Sequence, residues 1–430
     1  MSARGHRGDG RLDRAYACGA TVSDRVVVVG AGHAGVQIAA SLRDNDFRGS
    51  ITVFGDESHR PYHRPPLSKG NLSPTNPVDS ITLRGPSFYD ELGIEMCLGD
   101  PVCDIDRDAG KVVSASGRTV GFDGLALALG SSVRTLKVPG ADLPGVLYLK
   151  NLDDAVVLNR YLAESESVVV VGGGFIGLEA AALARSAGLK ATVVECDTTL
   201  MGRSVGPLVG GVFADLHRAR GVDVRLGASV VEVFERKGKA AGVVLDDGEL
   251  VEADFVVVGI GVVPRIELAE RIGLEIDRGI VVDGASRTSV DGIVAAGDCT
   301  VTRSLSVPGV SRSLESVHNA TLQAKNAARS LSDVVGDPEV EVPWFWSHQG
   351  DLKLQMVGGR DDADRTVIRG DPASGKFSIL YFVDGVVVGA ECVNKPGDFV
   401  LLRKLLNDGG SIDVALSEDV SLPLKQAVIA

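Results

Sequence analysis

Positive charge is in short supply: Lys and Arg number 44 against 57 Asp and Glu, for a formal net charge of -13 at pH 7. Such a surface repels a polyanion at long range, which argues against a general affinity for nucleic acid or anionic membranes. Long apolar runs are missing too. Stretches such as Val26 to Val29 and Val168 to Val171 are strand-length, far short of the roughly 20 residues of a membrane span. Cysteine is sparse and scattered, at positions 18, 97, 103, 196, 299 and 392. No two are spaced as C-x-x-C or C-x-x-x-x-C, so the usual redox and metal patterns are absent and a cytoplasmic location fits. Residues 1 to 23 hold four Arg and two Asp without the apolar core of a secretory signal, and read as a disordered tail.

What remains is an α/β composition. Aromatics are only 5%, while hydrophobic residues reach 44% and Gly 53 of 430 positions, the balance of a chain with many tight strand-to-helix turns. Arg25-Val-Val-Val-Val-Gly30 reads as a buried parallel strand, His33 to Arg43 as the following helix, and Ser50 to Phe54 as a second strand. The grammar repeats at Ser167 to Val171, Phe175 to Ala187 and Lys190 to Glu195. The expected division is a first nucleotide unit over 24–130 and 255–335, a second inserted at 131–254, and a C-terminal α+β domain over 336–430. Asp384-Gly385 between apolar runs marks a hairpin in that last domain.

Gly30-Ala-Gly32-His-Ala-Gly35 and Gly172-Gly-Gly174-Phe-Ile-Gly177 both fit G-x-G-x-x-G between a strand and a helix. In each, the first Gly makes the turn, the second lets the backbone approach a pyrophosphate, and the third packs helix on strand. Helix-start amides then face the phosphates. An acid at the end of the next strand binds the ribose hydroxyls and repels a 2'-phosphate. Glu195 holds that place in the second unit and favours NADH; in the first unit it falls to Asp56 or Glu57, with Asp56 preferred.

Together with these loops, Pro61-Tyr-His-Arg-Pro-Pro-Leu-Ser-Lys69, Gly259-Ile-Gly-Val-Val-Pro264, Ala296-Gly-Asp298, Leu314-Glu-Ser-Val-His-Asn-Ala320 and Pro343-Trp-Phe-Trp-Ser347 resemble the ferredoxin reductases of bacterial oxygenase systems, the group of putidaredoxin and rhodocoxin reductases. The likeness runs from residue 24 to about 405. It implies that Ala34, Asp56, Lys69, Arg134, Asp298 and Val317 touch FAD, and that Val102, Ile176 and Gly261 are also cofactor-binding. It further implies that Lys69 pairs with Glu179 where the nicotinamide stacks, and that Trp346 lies against the flavin.

The implied activity is hydride transfer from NADH to FAD, then single electrons to a 2Fe-2S ferredoxin, in a monomer or weak homodimer. Arg60, Arg64 and Arg312 are candidates for a local ferredoxin-docking patch. The family's Ala-Thr-Gly is Ala128-Leu-Gly130 here, and its frequent Arg before Leu-Glu-Ser is Ser313, which opens a different partner choice. Cysteine-based relatives need a thiol near the flavin, yet Asp56 to Gly70 contains none. A binding or signalling flavoprotein similar to apoptosis-inducing factor stays open as an alternative.

Overall fold

The computed structural model describes residues 24–70, 78–303, 311–332 and 334–429; the tail expected at 1–23 lies outside them. Two parallel sheets dominate, and each is centred on one of the valine runs. The first is ordered Ile293–Ala295, Gly124–Leu127, Arg25–Val29, Ser50–Phe54, Ile94–Cys97. The second is ordered Val222–Leu226, Lys190–Glu195, Ser167–Val171, Phe255–Val258, Val146–Tyr148. Both central strands are covered on both faces, which is why they read as unbroken apolar runs. Val28, Val169 and Val170 are 0% exposed, each worth about 1.5–3 kcal/mol of burial.

The second unit is longer than its sequence suggests. The Phe255–Val258 strand pairs in parallel with Ser167–Val171, in register from Val168↔Phe255 to Val171↔Val258. The boundary expected at 255 therefore moves beyond Gly259. The return to the first unit is made by Val262–Pro264, antiparallel to the outgoing Ser131–Val133, so the two crossings run side by side. Each unit also carries a three-stranded antiparallel meander, Val102 to Gly121 in the first and Val230 to Glu252 in the second.

The C-terminal domain is one antiparallel sheet ordered Trp344–Gln349, Leu352–Gly358, Val386–Val393, Lys376–Val383, Arg365–Asp371. Its strands bury both faces by simple alternation. Phe377, Ile379 and Tyr381 pack on the second unit with Leu178 and Phe213, while Leu380 and Phe382 pack under Phe399 and Leu402 of the Pro396–Asn407 helix. The hairpin at Asp384-Gly385 is present, with φ of 47° and 78° at the two turn residues and Val383 paired to Val386. This places the Trp344–Gln349 strand at an edge, against the start of the Phe175–Ser186 helix.

Candidate functional site

In the first glycine loop the three glycines have three different neighbourhoods. A Cβ on Gly30 would stand 2.1 Å from the main-chain oxygen of Ala128, and one on Gly35 would stand 1.8 Å from that of Gly30. Around Gly32, by contrast, a Cβ would meet no protein atom within 4 Å. The His33–Asp44 helix starts there with no side-chain cap, so its first amides are left for a ligand. The second loop repeats this. Cβ atoms on Gly172 and Gly177 would strike Gly259 and Gly172, whereas one on Gly174 would approach only the Gly259 oxygen, at 3.9 Å. That helix also begins without a side-chain cap. Each loop thus holds open a cradle of the shape and polarity that a dinucleotide phosphate needs.

Opposite the first loop stands the Gly297-Asp298 turn. A Cβ on Gly297 would lie 3.3 Å from Ala34 and 3.7 Å from Ala320, so the turn is wedged between the His33–Asp44 and Val317–Leu331 helices. Gln323 holds it there, accepting from the Gly297 amide (2.8 Å) and the Thr300 hydroxyl (2.9 Å). Asp298 accepts from Ser131 Oγ (3.0 Å), which in turn accepts from Lys150 Nζ (2.7 Å). Burial lowers the Lys150 pKa, and Asp298, 3.8 Å away, partly offsets that. Burial and Asp298 together raise Glu315. Ser316 caps the helix that begins at Val317, accepting from the Asn319 amide at 3.0 Å.

Of the two acids after the Ser50–Phe54 strand, Glu57 is engaged by Tyr62 and by Arg64. Asp56 borders the groove with Ala31, Gly32 and Gly55. Although burial opposes it, the 2.6 Å bond from Arg265 brings Asp56 below the usual carboxylate range. Val102 is 8% exposed and part of the core behind Phe54 and Leu127, so only its main chain could face a ligand. Arg134 follows the Ser131–Val133 crossing, its amide bonded to Gly261 (2.9 Å), where φ is +101°.

In the second unit, Glu195 ends its strand and folds back along the loop, accepting from the amides of Gly173 (2.6 Å) and Asp197 (2.8 Å). Ile176, in the first turn of the adjoining helix, is 43% exposed although apolar.

Between the two loops lies an ion pair. Lys69 Nζ is 2.7 Å from Glu179 Oε2 and 3.0 Å from the Pro65 oxygen. Ser68 donates to the same carboxylate oxygen, and Ser347 donates to Oε1 at 2.7 Å. Glu179 is only 4% exposed; a carboxylate so buried is held by its three donors. Alternation on the edge strand sends Phe345 against Phe175, with ring centroids 4.7 Å apart, and Trp346 to the opposite face, stacked on Trp344 at 5.3 Å. Trp344 also meets His318 at the start of the Val317–Leu331 helix, so that face looks toward the first unit.

The five described cysteines are free thiols. Burial pushes Cys299 up to about 11 and Cys392 to about 12, and raises Cys97. None of these three is poised as a thiolate. Residues 24–324 match the family described as pyridine nucleotide-disulphide oxidoreductase, and 344–428 match the one described as reductase C-terminal.

The chain belongs to the pyridine nucleotide-disulphide oxidoreductase family.

Membership makes it an oxidoreductase with FAD and NAD(H) as its cofactors. Rhodocoxin reductase from Rhodococcus erythropolis is 43% identical over 403 residues, covering 94% of each chain. Putidaredoxin reductase from Pseudomonas putida is 37% identical over 413 residues, covering 95% of this chain and 97% of its own. A solved ferredoxin reductase from Rhodopseudomonas palustris superposes with a TM-score of 0.89 at 41% identity, covering 94% of this chain and 100% of that one. The reductase in a covalent putidaredoxin reductase–putidaredoxin complex has the same TM-score at 36% identity, covering 94% and 98%. Among the described residues, no helix of this oxidoreductase is long and apolar enough to cross a membrane.

The geometry sets the Gly297-Asp298 turn against Ala34 and Ala320, lays Glu195 on the Gly173 amide, and joins Lys69 to Glu179. Sequence reasoning missed Lys150, Arg265, Gln323 and Ser347. They belong to no local motif; Lys150 had only the Asn151 to Asp154 capping box beside it as a signal.

Proposed function

We propose that the protein is an NADH-dependent flavoprotein reductase that passes single electrons to a 2Fe-2S ferredoxin serving a cytochrome P-450 or Rieske-type oxygenase in the cytoplasm. The observation that carries this reading is the buried Lys69–Glu179 pair, 2.7 Å long and bridging the two dinucleotide units. It stands in a segment where a disulfide enzyme would need a thiol. Relatives named for rhodocoxin and putidaredoxin, and the solved complex with putidaredoxin, support a small ferredoxin as acceptor.

FAD would be held by the amides after Gly32, with Ala34 and Gly35 packed beneath them, by Asp56 at its ribose, by Arg134 and Asp298 along its chain, and by the helix start at Val317. When bound, FAD supplies the chemistry that accepts hydride from NADH and releases electrons one at a time. The rest falls to the chain's own groups. The Val317 helix start would offer its positive dipole end to the flavin ring edge. Gly174 and Ile176 take the second pyrophosphate and Glu195 the two ribose hydroxyls, which disfavours NADPH. Lys69, fixed by Glu179, orders the nicotinamide and sets the local charge. Trp346, from the C-terminal domain, would lie against the flavin. The protein acts as a monomer or weak homodimer.

Steady turnover is the test. NADH should bleach a 2Fe-2S ferredoxin through many cycles per flavin. A protein whose flavin takes electrons from NADH but never passes them on would instead fit the binding or signalling alternative.

A further inference from the structure

A row of buried side chains leads from the Lys69–Glu179 pair into the body of the protein. Ser347 and Gln349 lie two apart on the edge strand, so they share one face, and both are 0% exposed. Ser347 Oγ donates to Glu179 Oε1 (2.7 Å). Gln349 Nε2 donates to Ser347 Oγ (3.3 Å) and lies 3.5 Å from the Met201 sulfur. Gln349 Oε1 is 2.7 Å from Nε2 of His217, which is 1% exposed.

The proton positions follow from the end of the row. An ionised carboxylate only accepts, so the Ser347 hydroxyl gives it its proton. The Ser347 lone pairs then take an amide N–H of Gln349, and the Gln349 oxygen faces His217, whose Nε2 must carry hydrogen. Burial lowers the His217 pKa, which favours the neutral ring, and its Nδ1 has no hydrogen-bond partner. All donors therefore point one way, toward Glu179, and Ser68 and Lys69 converge on its other oxygen. The same Gln349 amide reaches the second glycine loop, because the amide of Met201 donates to the Gly173 oxygen (3.0 Å).

We infer that Gln349, with Ser347 and His217, is a positioning set that holds the Glu179 carboxylate aimed at Lys69 and ties it to the loop that takes the nicotinamide nucleotide. The inference rests on the reductase reading above. None of the three touches the reacting atoms; they act through Glu179 and Met201. Among the described residues, the charged or titratable side chains facing Glu179 are Lys69, from the Pro61 to Lys69 loop, and His348, from the edge strand, whose pKa is lowered by burial and then by Lys69.

The experiment follows flavin reduction by stopped flow at saturating NADH, between about pH 5.5 and 8.5, in FAD-loaded wild type, Ser347→Ala, Ser347→Thr and Gln349→Met. Loss of a donor disfavours the carboxylate, so the acid limb of the rate profile should move to higher pH. Ser347→Ala should be slowed about tenfold at the acid end and much less at the alkaline end, with Ser347→Thr restoring the wild-type curve. Gln349→Met should shift the limb the same way and raise KM for NADH. The shift should persist in a His348→Gln background. Profiles identical to wild type, or a loss uniform across pH, overturn the inference; where Ser347→Ala fails to retain FAD, Gln349→Met decides. A wild type that NADH does not reduce overturns the reductase reading and this inference with it, whereas a reducible wild type with unaltered variants overturns this inference alone.

Discussion

Arg64 donates to the main-chain oxygen of Lys150 at 2.9 Å while its other terminal nitrogen holds Glu57 at 2.6 Å. The Pro-Pro-Leu-Ser-Lys loop of the first unit is thereby fastened to the residue that leads into the first long helix of the second. Arg64 was a candidate for ferredoxin docking; its guanidinium is engaged within the protein, which favours a structural role. Arg64→Ala should therefore lower the unfolding free energy, read from denaturant titration, by about 1–3 kcal/mol and leave the salt dependence of the ferredoxin KM as it is. Arg60→Ala and Arg312→Ala should flatten that dependence beyond about 0.15 M salt. The opposite pattern would return Arg64 to the docking surface.

For cofactor choice, NADH should exceed NADPH in kcat/KM by about tenfold or more, since a clash of about 1.4 kcal/mol between Glu195 and a 2'-phosphate supplies that factor. Glu195→Gln should narrow the ratio. Initial rates with both nucleotides decide it, and equal specificity constants would remove Glu195 from the ribose.

Lys69→Met should slow reduction by NADH about tenfold or more and leave FAD content intact, because the dinucleotide cradle is built elsewhere. It also leaves Glu179 buried without its cation, at a cost of about 3–5 kcal/mol in stability. Stopped-flow reduction and a denaturant titration separate the two effects. An unchanged reduction rate would mean that the pair only joins the units.

Thiols should be dispensable. Cys97→Ser, Cys103→Ser and Cys196→Ser, with Ala at the buried positions 299 and 392, should preserve reduction by NADH in folded, FAD-loaded protein. Loss of reduction in such protein would reinstate a cysteine mechanism.

Acid should destabilise the protein through its histidines. Burial, with His63 and Arg64 adding to it, pushes His33 down to about 4, and His63, His217, His318 and His348 are also lowered. Between about pH 6.5 and 4 the unfolded chain binds protons that the native state does not, so stability falls as pH falls through that window and is restored above it. His33 alone accounts for up to about 3 kcal/mol. Denaturant midpoints across the window should show the decline, and His33→Asn should make it shallower.

The glycine loops, the Gly-Asp turn and the Asp384 hairpin were legible because each is a local device with its own residue types. The boundary near 255 was not. Phe255-Val-Val-Val258 is an apolar strand in either unit, and only its register with Ser167–Val171 assigns it. Nor were Lys150, Ser347 or Gln349 legible, since their partners come from distant segments and no spacing announces them. Lys69 and Glu179 were brought together on resemblance alone, and the 2.7 Å contact supplies the physical reason.

The paired crossings Ser131–Val133 and Val262–Pro264 bear on how the chain assembles as it is made. The Gly124–Leu127 strand must wait for Ile293–Ala295, its neighbour from beyond the insert, and at about 5–20 residues per second a ribosome takes many seconds to deliver it. Meanwhile the second unit can fold, and once it does its ends lie together, so the late strand closes a short loop in place of a long one. A substitution that separates those crossings should then slow the completion of the first sheet more than it weakens the finished protein.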